Sequence, residues 1–372
     1  MRILLLSAYD TPSHRHWCEI LMEHFQHYDW TMLSLPARYF SWRVRGNSLS
    51  FAFGKPDLLR QDYDLLIATS MVDLSALRGF VPSLAKIPTV VYFHENQFAY
   101  PASQQQHKSI EPQILNIYTA LAADKVAFNS EYNRQTFLSG ARELLHKMPD
   151  QVPTGLLERI DTASEVLPVP LSPVSVDSYR DTSSPLQVLW NHRWEYDKAP
   201  ERLFAALKLA LSSGVILELH IVGQQFRQTP PVFDQMERYL REHYPGVIQH
   251  WGFIENSSDY QHLLAACDVV LSTALHDFQG LAVLEAVAAG CIPLLPNRLC
   301  YREWFADNYL YTSFEDIDRE AEQLAGKLGA LATCKAMREW PEPPCVDRFS
   351  IIRLCTDYSR LFEQTIHSQN NG

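Results

Sequence analysis

The sequence predicts an α/β protein built from two parallel-sheet units. Three observations carry that prediction. Several apolar runs show no alternation, among them residues 2–8, Thr89–Phe93 and Leu186–Trp190, and strands buried on both faces of a parallel sheet read this way. These runs alternate with helix-like segments, and the series starts twice, at residue 2 and again at residue 186. The length of 372 residues is long for one core and comfortable for two.

The opening run Met1-Arg2-Ile3-Leu4-Leu5-Leu6 is too short for a secretory signal, and Asp10 and His14 follow without a small-residue cleavage site, so it reads as a first buried strand. Residues 9–16 read as a polar turn before a helix over 17–26. The turn after a first strand is where open parallel sheets bind ligands. No G-x-G-x-x-G is present, which argues against a nicotinamide or flavin dinucleotide. A second strand over 31–35 leads into residues 36–47, where Arg38, Arg43 and Arg45 interleave with Tyr39, Phe40 and Trp42. Single-stranded RNA is recognised by such arginines and stacking aromatics; the alternative is a loop with packed aromatics and solvated arginines. Strands over 64–68, Thr89–Phe93 and Lys125–Phe128 end in polar groups: Thr69-Ser70, His94-Glu95-Asn96-Gln97 and Asn129-Ser130-Glu131. Polar residues at the carboxyl ends of parallel strands are candidates for chemistry, and Asn129 and Ser130 also suit the cap of a helix beginning at Glu131. Residues 150–184, rich in Pro, Ser, Thr and Asp with one strand-like piece at 165–169, read as the connection between domains.

The second series begins with Leu186–Trp190 and runs into Asn191-His192-Arg193-Trp194-Glu195-Tyr196-Asp197-Lys198-Ala199-Pro200, then a helix to about 212. Arg193 and Lys198, on a loop after a buried strand, can reach one diphosphate, or they pair with Glu195 and Asp197. Strands over 216–222, 247–254 and 268–272 follow, with a helix over 260–266 before the last. Residues 276–293 come next. Asp277 precedes a short apolar helix, Glu285 lies within it eight positions on, Gly280 opens it and Gly290 stops it. An unpaired buried carboxylate is expensive. Either ligand hydroxyls satisfy both acids, or Asp277 caps the helix and Glu285 is ion-paired. Free N–H groups near Gly280, Leu281 and Ala282 suit an anion such as a diphosphate. Beyond lie strands at 292–295 and 309–311, a helix over 317–331 and an amphipathic helix over 350–364.

The composition narrows the class. Hydrophobic residues make up 47% and charged residues 20%, and no apolar run is long enough to span a membrane. The seven cysteines form no C-x-x-C pair, which suits a reducing compartment rather than a disulfide framework or zinc site. A formal charge of −11 means that a nucleic-acid partner needs a local basic patch.

The acid-x7-Glu spacing of Asp277 and Glu285 resembles that of retaining nucleotide-sugar glycosyltransferases with two Rossmann-like domains, which usually carry Glu at the first position. Further segments resemble one family, the tRNA-queuosine alpha-mannosyltransferases: Leu35-Pro36-Ala37, Trp42-Arg43-Val44-Arg45, Tyr92-Phe93-His94-Glu95-Asn96-Gln97, Phe128-Asn129-Ser130, His192-Arg193-Trp194-Glu195 with Asp197-Lys198, and Leu284-Glu285-Ala286-Val287. The resemblance implies the GT-B architecture: two Rossmann-like domains facing a central cleft, here 1–178 on the acceptor side and 179–345 on the nucleotide-sugar side, with a helix in 346–372 crossing back to the first. It implies transfer of mannose from GDP-mannose to the cyclopentene diol of queuosine in an aspartate tRNA anticodon, with retention, without a cofactor or metal, in the cytoplasm and without stable membrane association. His94, Arg193, Lys198, Asp277 and Glu285 would be catalytic. Asn191, Phe253, Ile254, Gly280, Leu281 and Ala282 would bind the donor, with Asp277 on sugar hydroxyls and Glu285 on the ribose. Ser13, His14, Arg38, Trp42, Arg43, Arg45, Glu95, Asn96, Gln97, Asn129 and Ser130 would meet the acceptor or tRNA. The competing readings are a transferase using another nucleotide sugar or a lipid or polysaccharide acceptor, an RNA-binding protein without catalysis, and a sugar-nucleotide epimerase.

Overall fold

A computed structural model describes residues 1–100, 109–173, 184–226 and 228–370. The chain divides into two compact units, one of Met1–Pro170 with the chain from Phe349 onward, the other of Leu171–Arg348. The boundary expected at 178/179 lies outside the described residues.

The first unit holds a six-stranded sheet of β1 (Arg2–Asp10), β2 (Asp29–Pro36), β3 (Leu65–Thr69), β4 (Thr89–Phe93), β5 (Lys125–Phe128) and β6 (Ser164–Val166), in the order β2-β1-β3-β4-β5-β6. Every neighbouring pair is parallel. Every residue of β3 and β4 is buried, as the unbroken apolar runs require. The chain winds outward from β1 to one side and from β3 to the other, so the loops after these strands flank a switch point, where such sheets bind ligands.

Three expectations for this unit need correction. β1 runs to Asp10 and a helix starts at Pro12, so the polar turn shrinks to Thr11, and Ser13 and His14 lie in the first helical turn. Proline is pre-organised for that first position. Residues 36–47 are not a loop, because a helix spans Phe40–Gly54. Its buried face carries Arg43, Asn47 and Ser48 as well as Val44 and Phe51, so no apolar stripe of helical period shows in the sequence. Gly46 leaves room for the exposed Trp42 ring, which a Cβ there would approach to 2.3 Å. Finally, 150–170 is no linker: a helix at Leu156–Ala163 and strand β6 complete the first sheet.

The last helix, Ile351–Asn370, belongs to this first unit. Tyr358 is fully buried; its hydroxyl accepts from Trp17 Nε1 at 2.9 Å and donates to the Pro168 carbonyl at 2.9 Å. The Trp17 ring stacks on Tyr92 of β4 at 4.3 Å.

The second sheet holds β7 (Leu186–Trp190), β8 (Leu217–Val222), β9 (Ile248–Gly252), β10 (Val269–Leu271), β11 (Ile292–Pro296) and β12 (Leu310–Tyr311), all parallel, in the order β12-β11-β10-β7-β8-β9. This is the doubly wound order of dinucleotide-binding folds. Its switch point lies between β7 and β10, the two strands that feed residues 191–200 and 272–280.

Candidate active site

The loops after β7 and β10 are hydrogen-bonded to each other. Thr273 Oγ1 donates to the Lys198 carbonyl at 2.8 Å, Trp190 Nε1 donates to Thr273 Oγ1 at 3.2 Å, and Leu275 N donates to the Asp197 carbonyl at 2.8 Å. A buried ion triad holds the second loop from behind. Arg298 donates to the carbonyls of Thr273 and Ala274 and bidentately to Glu320, and Arg202 shares that carboxylate at 3.0 Å.

Between these loops sit the polar groups that face the switch point. Lys198 is buried; its ammonium donates to the His276 carbonyl at 2.6 Å and lies 3.4 Å from Asp197 and 3.6 Å from Asp277. Asp277 Oδ1 accepts from Gly280 N at 3.0 Å, and Oδ2 accepts from the Tyr301 hydroxyl at 3.1 Å. Gly280, at φ 75°, turns the chain into the Leu281–Ala288 helix, a left-handed conformation that glycine adopts without cost. The N–H groups of the first turn have no partner within the helix. Asn191 Nδ2 donates to the Tyr260 hydroxyl and to the Ala282 carbonyl at 2.9 and 2.8 Å. Because a carbonyl only accepts, this fixes the amide orientation. It leaves Asn191 Oδ1 buried without a partner among the described residues. His192, also buried, presents an Nε2 likewise unpartnered.

The charges follow from burial and from Lys198. Burial pulls the Asp277 carboxyl up more strongly than any other single cause, but Lys198, His192, His276 and the Tyr301 hydroxyl together outweigh it and hold the group below its ordinary range. Burial likewise raises Asp197, and Lys198, the His276 ring and Arg193 together bring it below its ordinary range. Glu285 has no such cation, and burial pushes its carboxyl up to about 7. Burial, with Lys198 beside it, brings His192 down to about 3, so its imidazole is neutral. The arrangement can do two things: offer a fixed cation and helix N–H groups to an anion, and offer carboxylate and amide acceptors to hydroxyls. Arg193 is half-exposed and lies 2.9 Å from Glu195, the alternative pairing considered for it. Phe253 and Ile254 follow β9, with Phe253 60% exposed.

In the first unit the carboxyl edge of the sheet gathers a second constellation. The rings of His14 and His94 stack at 4.1 Å. Both are buried, and His94 Nδ1, His94 Nε2 and His14 Nδ1 have no partner among the described residues. Burial holds both imidazoles below their ordinary pKa, most strongly at His94, which also faces His14. Beside them, Glu95 accepts from the Tyr100 hydroxyl at 2.7 Å, and Gln97 is partly buried. Three expected acceptor contacts are instead consumed internally. Asn96 donates to Asn133 and Thr136 and accepts from the Phe98 and Ala99 amides. Asn129 donates to the His94 carbonyl at 2.8 Å and accepts from Asn133, while Ser130 caps the Glu131–His146 helix. These groups shape the His94 loop rather than face a substrate. The arginines also divide. Arg38 is exposed with Tyr39 and Trp42. Arg43 is buried, and Arg45 is tied to Asp73 and Glu111 at 3.1 and 2.8 Å. Neither is free to meet RNA phosphates in this arrangement.

The sequence reading missed His192, Tyr260 and Tyr301 as site residues. His192 stood in a quoted segment, but its buried position appears only with the fold. The chain also holds two Asp-x-Asp triplets, Asp62-Tyr63-Asp64 and Asp316-Ile317-Asp318. The first precedes β3 at the amino edge, where Asp64 accepts from Arg2 N, and in the second Asp316 caps the Ile317–Met337 helix.

Comparison with known proteins agrees with this fold. The family model for the tRNA-queuosine alpha-mannosyltransferase N-terminal domain matches residues 2–171, and that for glycosyl transferases group 1 matches 178–340. Sucrose-phosphate synthase from Thermosynechococcus elongatus is similar in structure, with a TM-score of 0.67 at 13% identity, over 99% of this chain and 100% of that one. Anabaena HepE in complex with UDP gives 0.63 at 14% identity, over 98% and 100%. The fold is therefore GT-B and the protein is a glycosyltransferase. In sequence it is 29% identical to the tRNA-queuosine alpha-mannosyltransferase of Drosophila melanogaster over 99% of this chain and 98% of that one. The N-terminal part of the chain is thus similar to the tRNA-queuosine alpha-mannosyltransferases by that family's own model, and the likeness to the Drosophila enzyme runs the length of both chains.

Proposed function

We propose that the protein transfers mannose from GDP-mannose to the cyclopentene diol of queuosine in the anticodon of an aspartate tRNA, with retention at the anomeric carbon. The observation that carries the reading is the convergence at one switch point of Lys198, Asp277 and the Leu281–Ala288 helix N-terminus, with Glu285 on that helix. A nucleoside-diphosphate sugar needs cationic and N–H donors at the diphosphate and acceptors at its hydroxyls. Lys198 and the helix N–H groups serve the diphosphate, joined by Arg193 when it leaves Glu195. Asp277 serves the sugar, while Glu285 and Asn191 Oδ1 serve the ribose. Phe253 and Ile254 border the nucleobase.

The bond from the anomeric carbon to the leaving phosphate breaks, and the acceptor oxygen bonds to the same face. The acceptor proton passes to the leaving phosphate, so no enzymic base is needed. The charge that grows on the phosphate is met by Lys198 and by the helix N–H groups, which gives the reaction its positive charge without a metal ion. His94, kept neutral by burial, positions an acceptor or sugar hydroxyl. The likeness to the Drosophila enzyme and the N-terminal domain match support tRNA as the acceptor. Arg38, Tyr39 and Trp42 are the exposed groups suited to meet it. Free cysteines support a cytoplasmic setting, and among the described residues no helix is long and apolar enough to cross a membrane.

The test is sugar transfer from labelled GDP-mannose, against labelled UDP-glucose, onto tRNA from queuine-fed and queuine-starved cells. Label entering only queuosine-containing tRNA, and only from GDP-mannose, is the expected result. Label entering both tRNA pools alike overturns the acceptor, and label from UDP-glucose overturns the donor.

A further inference from the structure

Tyr301 stands at the start of a four-residue helix after β11, and its side chain is completely buried. Its hydroxyl meets two partners, Asp277 Oδ2 at 3.1 Å and Ser272 Oγ at 2.9 Å. The direction of both bonds follows from chemistry. An ionised carboxylate only accepts, so the phenol proton points at Asp277, and the Ser272 hydroxyl donates to the phenol oxygen. Burial, and then the Asp277 charge, raise the phenol far above its ordinary pKa, so it keeps the proton it donates. The same ring occupies the space beside Gly280: a Cβ there would lie 2.9 Å from Tyr301 Cε1. One side chain thus touches both the carboxylate and the residue that opens the helix.

We propose that Tyr301 is the positioning residue of Asp277, and that its hydroxyl sets the length of acid the site accepts. The Lys198 ammonium lies 3.6 Å from Oδ2. Without the phenol hydroxyl, the carboxylate swings toward that ammonium and closes to the ~2.8 Å of a charge-assisted bond. The swing turns away the lone pairs meant for the sugar, while Lys198 keeps its bond to the His276 carbonyl. A glutamate at 277 would extend about 1.5 Å further, one carbon–carbon bond, against the hydroxyl that stands only 3.1 Å from Oδ2. The catalytic consequence rests on the donor-sugar reading of Asp277; the structural one does not.

The experiment uses Tyr301→Phe, which keeps the buried ring and removes one oxygen. Its crystal structure is expected to show Asp277 rotated onto Lys198. Calorimetry is expected to show GDP affinity retained within about twofold while GDP-mannose affinity falls roughly tenfold, the loss of one bond to a charged group. Asp277→Glu is expected to bind GDP-mannose poorly in the native background and to recover part of that affinity when combined with Tyr301→Phe. An unmoved Asp277 in the Tyr301→Phe crystal, an equal loss of GDP and GDP-mannose, or no recovery in the double variant overturns the proposal. If the native protein gains nothing from the mannose of GDP-mannose, the donor reading fails instead, and the Asp277 orientation still decides for or against Tyr301.

Discussion

Glu285 is set where function and stability pull in opposite directions. Folding carries its carboxyl from its ordinary 4.5 to about 7 through burial alone. The folded protein therefore holds this proton to higher pH than the unfolded chain does. The sign follows: ionising Glu285 costs nothing below pH ~4.5, and the cost grows as pH rises toward and past 7, to roughly 3 kcal/mol at most. Glu285→Gln is expected to melt at a higher temperature than the native protein at pH 8, with the gap closing by pH 4.5, while losing most transfer activity. Thermal melts at the two pH values check this; a variant less stable at pH 8 contradicts it. Residue identity was also where the sequence was most informative. The spacing of Asp277 and Glu285 and the cations Arg193 and Lys198 stood out in the sequence, because charged groups beside buried strands need partners, whereas Asn191 was implied by the family resemblance. Partners could not be read. Asn96, Arg43 and Arg45 looked equally available, and only packing shows that each is already engaged or buried. Accordingly, Arg45→Ala is expected to destabilise the first unit by about 1 kcal/mol, because one of its partners, Asp73, is buried while Arg45 itself is half-exposed. Denaturant titration measures this.

At the scale of elements, the loop that presents Asp277 is held by groups far from it in sequence. Glu320 is buried against two guanidiniums, and Arg298 carries its hold to the Thr273 and Ala274 carbonyls. Removing one partner leaves buried charge uncompensated, so Glu320→Ala is expected to cost roughly 3–5 kcal/mol, with Glu320→Gln costing less. Urea titration of both variants, beside donor affinity, tests the link to the loop: Glu320→Ala should weaken donor binding as well as stability. Gly280→Ala combines a left-handed backbone with a close approach to Tyr301 and is expected to cost at least about 1–2 kcal/mol and to impair donor binding. Strands over apolar runs were legible almost to the residue, as at Thr89–Phe93 and Lys125–Phe128. The Phe40–Gly54 helix was not, because its buried face is polar and glycine interrupts it. Nor was the Leu156–Ala163 helix, hidden in a segment whose composition resembles a linker.

At the scale of the molecule, two sheets with different strand orders divide the work. The second, in doubly wound order, places Lys198 and Asp277 on the loops at the β7/β10 switch point. The first sheet closes only with β6 and with the chain's last helix, whose Tyr358 reaches Trp17 and the Pro168 carbonyl. Ending the chain at residue 348 uncovers Trp17 and Tyr92, which that helix buries. It is expected to lower the melting temperature of the first unit, while GDP binding by the second is retained; calorimetric melting with and without GDP resolves the two. The parallel α/β class and the twofold start of the strand series were legible from apolar runs and length. The acceptor surface was not, since exposure depends on which side of the Phe40–Gly54 helix faces the core.

The central claim is that the Lys198, Asp277 and Glu285 site moves mannose onto queuosine. Its most direct test is the mass of the anticodon nucleoside after incubating the protein with GDP-mannose and queuosine-containing aspartate tRNA. A hexose-sized gain on queuosine, absent with Glu285→Ala, is the predicted result. An unchanged queuosine mass with a native protein that binds GDP-mannose, or a gain that survives Glu285→Ala, would contradict the account.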